Sequence, residues 1–346
     1  MPEVKLKRFL KAHRWWDSHL PLMLVVVYFE LNLAHPTPPV LIALRTLILF
    51  LAASVGIAGF GYMLNDLCDV EQDLKSGTRN LVAQRGRVEV LIRFALVLLL
   101  AWLPWRWLPT SRPIWALLAF EFALFLAYSI PPIRFKERGI LGPVADALYA
   151  YTVPTAVSML VFAQLGHVVV PLWFGLLLGI WTSLLGLRHI LIHQLEDAAR
   201  DQLSGFTTFV TQRGWRQAFD LLNRGLQPVE NGLFLVFLLA LAVRVPLMLV
   251  GLSLYMLFYL SKQRDRGIWQ EANPWRLPAI DKVLFLITLS SEFQTDWLPL
   301  LILIPLAVQV PSYLLMVALH YLLFNNGIKT LLRYELPERR RLRQLA

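Results

Sequence analysis

Long apolar runs alternate with short polar stretches along this chain, and each run is apolar all round instead of striped. A helix on the surface of a soluble bundle would show an apolar face at every third or fourth position, with charge opposite. Roughly 20 mostly apolar residues are what a bilayer-crossing helix needs. Nine candidates are found: Leu20–Ala34, Val40–Leu64, Val88–Leu103, Pro113–Tyr128, Leu141–Leu165, Pro171–Leu191, Pro228–Val243, Val245–Leu260 and Trp297–Phe324. Pro154 and Pro311 fall inside two of them, and kinked helices are tolerated where neighbours satisfy the freed backbone groups. The pattern predicts an all-α, polytopic membrane protein with about nine transmembrane helices. A tenth crossing at Val283–Trp297 would bury Glu292 and Asp296, so nine is preferred.

Composition agrees. Of 346 residues, 57% are hydrophobic and only 16% charged, with a mean hydropathy of +0.56, outside the range of soluble domains. A net charge of +10 would suit nucleic acid, but the basic residues are scattered through the loops between spans, so no nucleic-acid partner is expected. Cys68 is the single cysteine, which excludes an internal disulfide. The apolar run from Leu20 has no small-residue cleavage site, and so reads as a first span and not a signal peptide. No linker divides the chain, which is read as one domain over residues 1–346. Counting Lys and Arg on alternate sides gives 21 against three, Arg106, Arg112 and Arg244. Positive-inside bias then places the amino terminus in the cytoplasm, in a cytoplasmic (inner) membrane. The basic tail, Lys329 to Arg343, does not fit nine spans. Leu260–Asp281, with Trp269 and Trp275, reads as a segment lying on the lipid headgroups.

The chemistry gathers at two places. In Asn65–Gly77 (NDLCDVEQDLKSG), Asp66, Asp69 and Asp73 fall at i, i+3 and i+7. They share a face if the preceding helix continues, and three carboxylates on one face repel unless a cation sits among them. His193, Asp197, Asp201 and Gly205 repeat the spacing of Asn65, Asp69, Asp73 and Gly77 at an offset of 128. The offset spans four helices, suggesting a pseudo-repeat of four-helix units. Both clusters close an apolar run on the same side of the membrane, an arrangement suited to holding Mg²⁺ for diphosphate chemistry. Asn65 adds a neutral carbonyl ligand.

Between the two clusters stands Tyr128-Ser129-Ile130-Pro131-Pro132-Ile133-Arg134-Phe135-Lys136. The prolines stop the helix, and an extended turn would hold Arg134 and Lys136 on one side, as a clamp for an anion. Arg79 is a weaker third cation. Inside spans, Glu30, Asn32, Glu121 and Asp146 are read as structural hydrogen-bonding groups in preference to cavity residues that deprotonate an acceptor. His189 and His193 lie at i, i+4 without a third ligand, which argues against zinc.

These motifs resemble those of the UbiA-type intramembrane prenyltransferase superfamily. Asn65, Asp66, Asp69 and Asp73 match its N-D-x-x-D-x-x-x-D pattern in full. Tyr128, Ser129, Pro131, Pro132, Arg134 and Lys136 match its Y-S-x-P-P-x-R-x-K turn. Asp197, Asp201, Gly205 and Thr208 match the second acid motif, with Gln194 in place of its leading acid. The resemblance covers about residues 20–243. It implies nine helices around a central cavity, with Asn65, Asp66, Asp69, Asp73, Gln194, Asp197 and Asp201 toward Mg²⁺, the five aspartates being the catalytic set. Tyr128, Arg134, Lys136 and Arg79 are implied on the diphosphate of an isoprenyl donor, and a lipophilic or aromatic acceptor would attack the allylic cation. Rival readings are a terpene cyclase of the same superfamily, phosphoribosyl transfer to a polyprenyl phosphate, and a transporter binding divalent cations.

Overall fold

The computed structural model describes residues 16, 18–77, 80–265, 291 and 293–324. Their regular structure is entirely helical. Helix α1 (Leu20–Leu33) is buried from Leu20 through Leu31, so a run that is apolar all round lies at the centre of the bundle. Proline-rich residues 36–39 lead into α2 (Val40–Cys68), which is followed by the short α3 (Val70–Ser76). Next come α4 (Arg87–Trp102) and α5 (Arg112–Ser129). Pro113 opens α5, at a position where its missing N–H costs nothing. Helix α6 (Leu141–Leu165) contains a π turn at Leu148–Thr152. The long α7 (Leu172–Ser204) precedes α8 (Phe209–Arg213), α9 (Trp215–Ala242) and α10 (Leu247–Asp265), and α11 (Leu298–Gln309) and α12 (Leu314–Leu323) follow.

Six of these helices are long and apolar enough to cross a membrane: Val40–Cys68, Arg87–Arg106, Arg112–Ser129, Leu141–Leu165, Leu172–Ala199 and Trp215–Ala242. Four shorter apolar helices accompany them: Leu20–Leu33, Leu247–Leu257, Phe293–Gln309 and Pro311–Leu323. Outward-facing positions are apolar too, including Leu91, Leu99, Phe120, Leu235 and Leu239. A soluble bundle would place charge there, whereas lipid requires none.

The expected final span 297–324 is two helices, not one. Val310 leaves the helical region (φ −128°, ψ 90°) before Pro311, whose ring cannot continue a hydrogen-bonded ladder. The break lets Tyr313 donate to the carbonyl of Pro38 at 2.7 Å. Asn32 plays the structural part expected of it, donating to Tyr28 O at 2.8 Å and Ile302 O at 3.0 Å. Glu30 is buried in the same helix. Arg79, the segment expected on the headgroups beyond residue 265, the alternative crossing from residue 283 and the basic tail lie outside the described residues.

Candidate active site

Both acid motifs are carried on helices that run past their apolar stretch, and the two are built alike. Helix α2 bends at Asp69 (φ −108°, ψ 5°), yet the ladder continues through the bend, with Asp69 N bonded to Asn65 O at 3.0 Å and Asp73 N to Asp69 O at 2.8 Å. Helix α3 ends on Gly77 (φ 69°), whose N–H reaches the carbonyls of Asp73 and Leu74. Helix α7 ends 128 residues later on Gly205 (φ 73°), with its N–H on Asp201 and Gln202. A left-handed terminal residue of this kind is cheapest as glycine.

The likeness extends beyond the positions legible as a repeat. Asp66 Oδ2 accepts the backbone N–H of Leu81 at 3.2 Å, and its counterpart Gln194 accepts that of Val210 at 3.3 Å through Oε1. Asn80 Oδ1 caps Ala83 N at 3.0 Å, as Thr208 Oγ1 caps Thr211 N at 3.3 Å. Asp66 and Gln194 are both buried and tie the chain returning after each motif to its helix. An amide performs this task as well as a carboxylate, which accounts for glutamine at 194. Asn80, which is 1% exposed, also donates to Asp66 O at 2.7 Å and Asp73 Oδ2 at 2.8 Å. Its role was missed in the sequence because one asparagine in a polar loop carries no spacing signal.

Asp69 turns the other way, into the basic turn. Arg134 donates to Asp69 Oδ1 at 3.0 Å; Lys136 Nζ donates to both Asp69 oxygens and, at 3.0 Å, to Asn65 Oδ1. The expected extended turn is not observed: Arg134 adopts the left-handed region (φ 40°, ψ 60°) and Phe135–Glu137 form a 3₁₀ turn. A left-handed arginine costs about 1–2 kcal/mol, and its side chain is held by Gln72, by Glu137 Oε1 at 2.6 Å and by Asp69. Burial pushes the Lys136 ammonium below the usual lysine range, with Asp69 opposing. Burial would raise the Glu137 carboxyl, but hydrogen bonds from Arg134 and Gln72 take it below the usual carboxylate range. Gln72 and Glu137 are therefore members of the site that the sequence reading did not single out.

A central cavity of about 780 Å³ opens beside these residues. Asn65, His193 and Asp197 line it at the motif end, so it brings residues of both acid motifs together. Tyr128 and Tyr149 meet edge to face on its wall, 5.3 Å between ring centroids, and the Tyr149 hydroxyl donates to Asp146. Glu121 and Phe125 lie at the far end. Asp146 and Glu121 thus face the cavity, in place of the purely structural role preferred for each from sequence. Asp201 lies one helical turn past Asp197 on α7, which packs against α3. Arg134 and Lys136 stand behind Asn65 and Asp69, and Arg134 borders a second depression of about 640 Å³ with Gln72, Glu137 and Pro132.

Among the described residues no three His, Cys, Asp or Glu side chains cluster closely enough to hold a metal ion by themselves. The donor chemistry nevertheless fits Mg²⁺, which usually takes one or two carboxylates and completes its shell with water and phosphate oxygens. Asn65 Oδ1 and Asp69 already share a cation, the ammonium of Lys136.

Comparison with known proteins bears on this geometry. No curated protein matches the chain. Among solved structures, a UbiA homolog from Archaeoglobus fulgidus bound to GPP and Mg²⁺ aligns with a TM-score of 0.56 at 17% identity, over 86% of this chain and 98% of that one. The same homolog bound to DMAPP and Mg²⁺ gives 0.55 at 17% identity, with the same coverage; bound to Cd²⁺ it gives 0.53 at 17%, over 84% and 98%. At such identity these likenesses speak for the fold. A family model, that of the UbiA prenyltransferase family, matches residues 22–273, the stretch that holds both acid motifs, the basic turn and most of the cavity lining, and on that match the chain belongs to the UbiA prenyltransferase family.

Proposed function

We propose that this protein is a Mg²⁺-dependent transferase of the cytoplasmic membrane, which moves an isoprenyl group from its diphosphate to an aromatic or other lipophilic acceptor. The observation that carries the reading is the mouth of the cavity. There Asn65, which shares the Lys136 ammonium with Asp69, lines the cavity together with Asp197, and the chamber between them is walled by aromatic rings with a few polar groups. The family and the prenyl diphosphates in the related structures support the same donor class.

In this reading Asn65, Asp69, Asp197 and Asp201 hold Mg²⁺, with Asp66, Asp73 and Gln194 shaping the loops behind them. Bound Mg²⁺ supplies positive charge that offsets the charge growing on the departing diphosphate. Arg134 and Lys136, with Arg79 as a further candidate, receive the diphosphate oxygens, and Tyr128 borders the reacting end. The rings of Tyr62, Tyr128 and Tyr149 present π faces to an allylic cation, and the chamber keeps water from it. Asp146 shares that wall with His193 and is placed to take the acceptor's proton. The basic loops put the motifs on the cytoplasmic side, where phosphorylated donors are found.

The test is diphosphate release in lipid nanodiscs with Mg²⁺, across isoprenyl diphosphates and phosphoribosyl diphosphate, with and without a lipid extract supplying acceptors. Release from a prenyl donor that depends on the extract is the expected result. Extract-independent release with a cyclic hydrocarbon product would replace transfer by cyclisation. Release from phosphoribosyl diphosphate alone would make the lipid the acceptor, and no release from any donor by folded protein would sink the transferase reading.

A further inference from the structure

The central cavity has a continuation. A small void of about 10 Å³, room for about one water, is lined by Phe50, Ser54 and Ile57 of α2, Leu118 of α5, and Pro154 and Val157 of α6. On each of these helices the lining residues continue directly beyond those of the main cavity, away from the acid motifs, the cavity's own running from Ala58 to Asn65, Glu121 to Ser129, and Asp146 to Tyr151. The void is therefore the axial extension of the chamber. Glu121 borders both spaces.

This carboxyl is 3% exposed and no hydrogen bond or ion pair holds it among the described residues. Seven residues separate Glu121 from Tyr128 on α5, as seven separate Ala58 from Asn65 on α2, so it stands about 10 Å below the mouth at 1.5 Å per residue. That is too deep to act on a carbon bonded to diphosphate at the mouth. Its neighbours on the far side, Trp105 among them, are apolar apart from the Ser54 hydroxyl and the Trp105 indole N–H. A buried carboxyl without a protein partner keeps water, and an apolar tail pressed against it would strip that water and offer nothing in return.

We propose that Glu121 sets the length of isoprenyl tail that the cavity takes: its side chain closes the apolar extension, by bulk and by hydration, against tails that would reach past it. The inference rests on the proposed donor class and adds the residue that selects within it.

The experiment measures binding, so it does not depend on knowing the acceptor. Affinities of dimethylallyl, geranyl, farnesyl and geranylgeranyl thiolodiphosphates, which resist ionisation, are measured with Mg²⁺ on the full chain in nanodiscs. The wild type is expected to favour the two shorter tails over geranylgeranyl by at least about tenfold, the scale on which a pocket discriminates small apolar increments. Glu121→Ala removes bulk and the hydrated polar group and should erase or reverse that ratio, and Glu121→Gln, which keeps bulk and hydration, should retain it. Val157→Trp added to Glu121→Ala refills the extension and should restore the short-tail preference. Should Glu121→Ala fail to fold, Glu121→Ser is the second variant, with the same expectation. Wild-type affinity that climbs steadily to geranylgeranyl overturns the inference and leaves the donor class standing, as does a ratio that Glu121→Ala or Glu121→Ser moves by less than about twofold. No binding of any analogue by folded wild type overturns the reading of the site and this inference with it.

Discussion

The two acid motifs share a scaffold but turn their central acids to different places. Each ends on a left-handed glycine, each ties the returning chain to an acceptor at position 66 or 194, and each caps the next turn from position 80 or 208. Asp69, however, is 6% exposed and lies against Arg134 and Lys136, while Asp197 borders the cavity on an uninterrupted helix. Two like-built units thus aim their central acids differently: the scaffold residues repeat because backbone must be satisfied in both halves, and the acids part in direction because they serve a site that is not symmetric.

The comparison is broken most severely at Asp69. Asp69→Ala should abolish diphosphate release and, by leaving the Lys136 ammonium without its carboxylate while Arg134 keeps Glu137, cost about 3–5 kcal/mol of stability; Asp197→Ala, at the cavity wall, should abolish release as well. Diphosphate release and thermal unfolding in nanodiscs check this, and an Asp69→Ala melt at the wild-type temperature would show that the contact with the basic turn does not stabilise the fold. Gln194→Leu comes next. It strands the Val210 N–H, for about 1–3 kcal/mol, without weakening Mn²⁺ binding followed by electron paramagnetic resonance in the presence of diphosphate; a weakened ion would restore glutamine to the ligand set. Gly77→Ala and Gly205→Ala should each cost about 1–2 kcal/mol, and by similar amounts, since a Cβ at either position meets open space and only the backbone conformation is penalised. Lys75→Ala, inside the first motif but in an exposed pair with Glu71, should leave both melting and turnover unchanged.

The apolar runs located the helices because lipid demands an unbroken stretch, and the 128-residue offset located both motifs. Direction was harder to read. Asp66, Asp69 and Asp73 were expected on one face, but the bend at Asp69 sends its carboxylate to the basic turn while Asp66 and Asp73 face the returning chain. Spacing carries no record of that bend, since the hydrogen-bond ladder runs through it. The basic turn was found in sequence yet given the wrong backbone, because the left-handed Arg134 is stabilised by Gln72, 62 residues away. Glu121 and Asp146 looked structural for a similar reason: whether a polar residue in a span faces a neighbour or a chamber depends on the rotation of helices, which a single chain's pattern leaves undetermined.

The ammonium of Lys136 between Asn65 and Asp69 has a consequence for assembly. A protein whose ligands repel one another until a metal arrives must load that metal in order to fold, as small zinc domains do. Here the first motif has its own counter-ion from another loop, so folding should not depend on metal supply. Protein made in the presence of a chelator should insert, purify and melt like protein made with Mg²⁺, and differ only when donor is added.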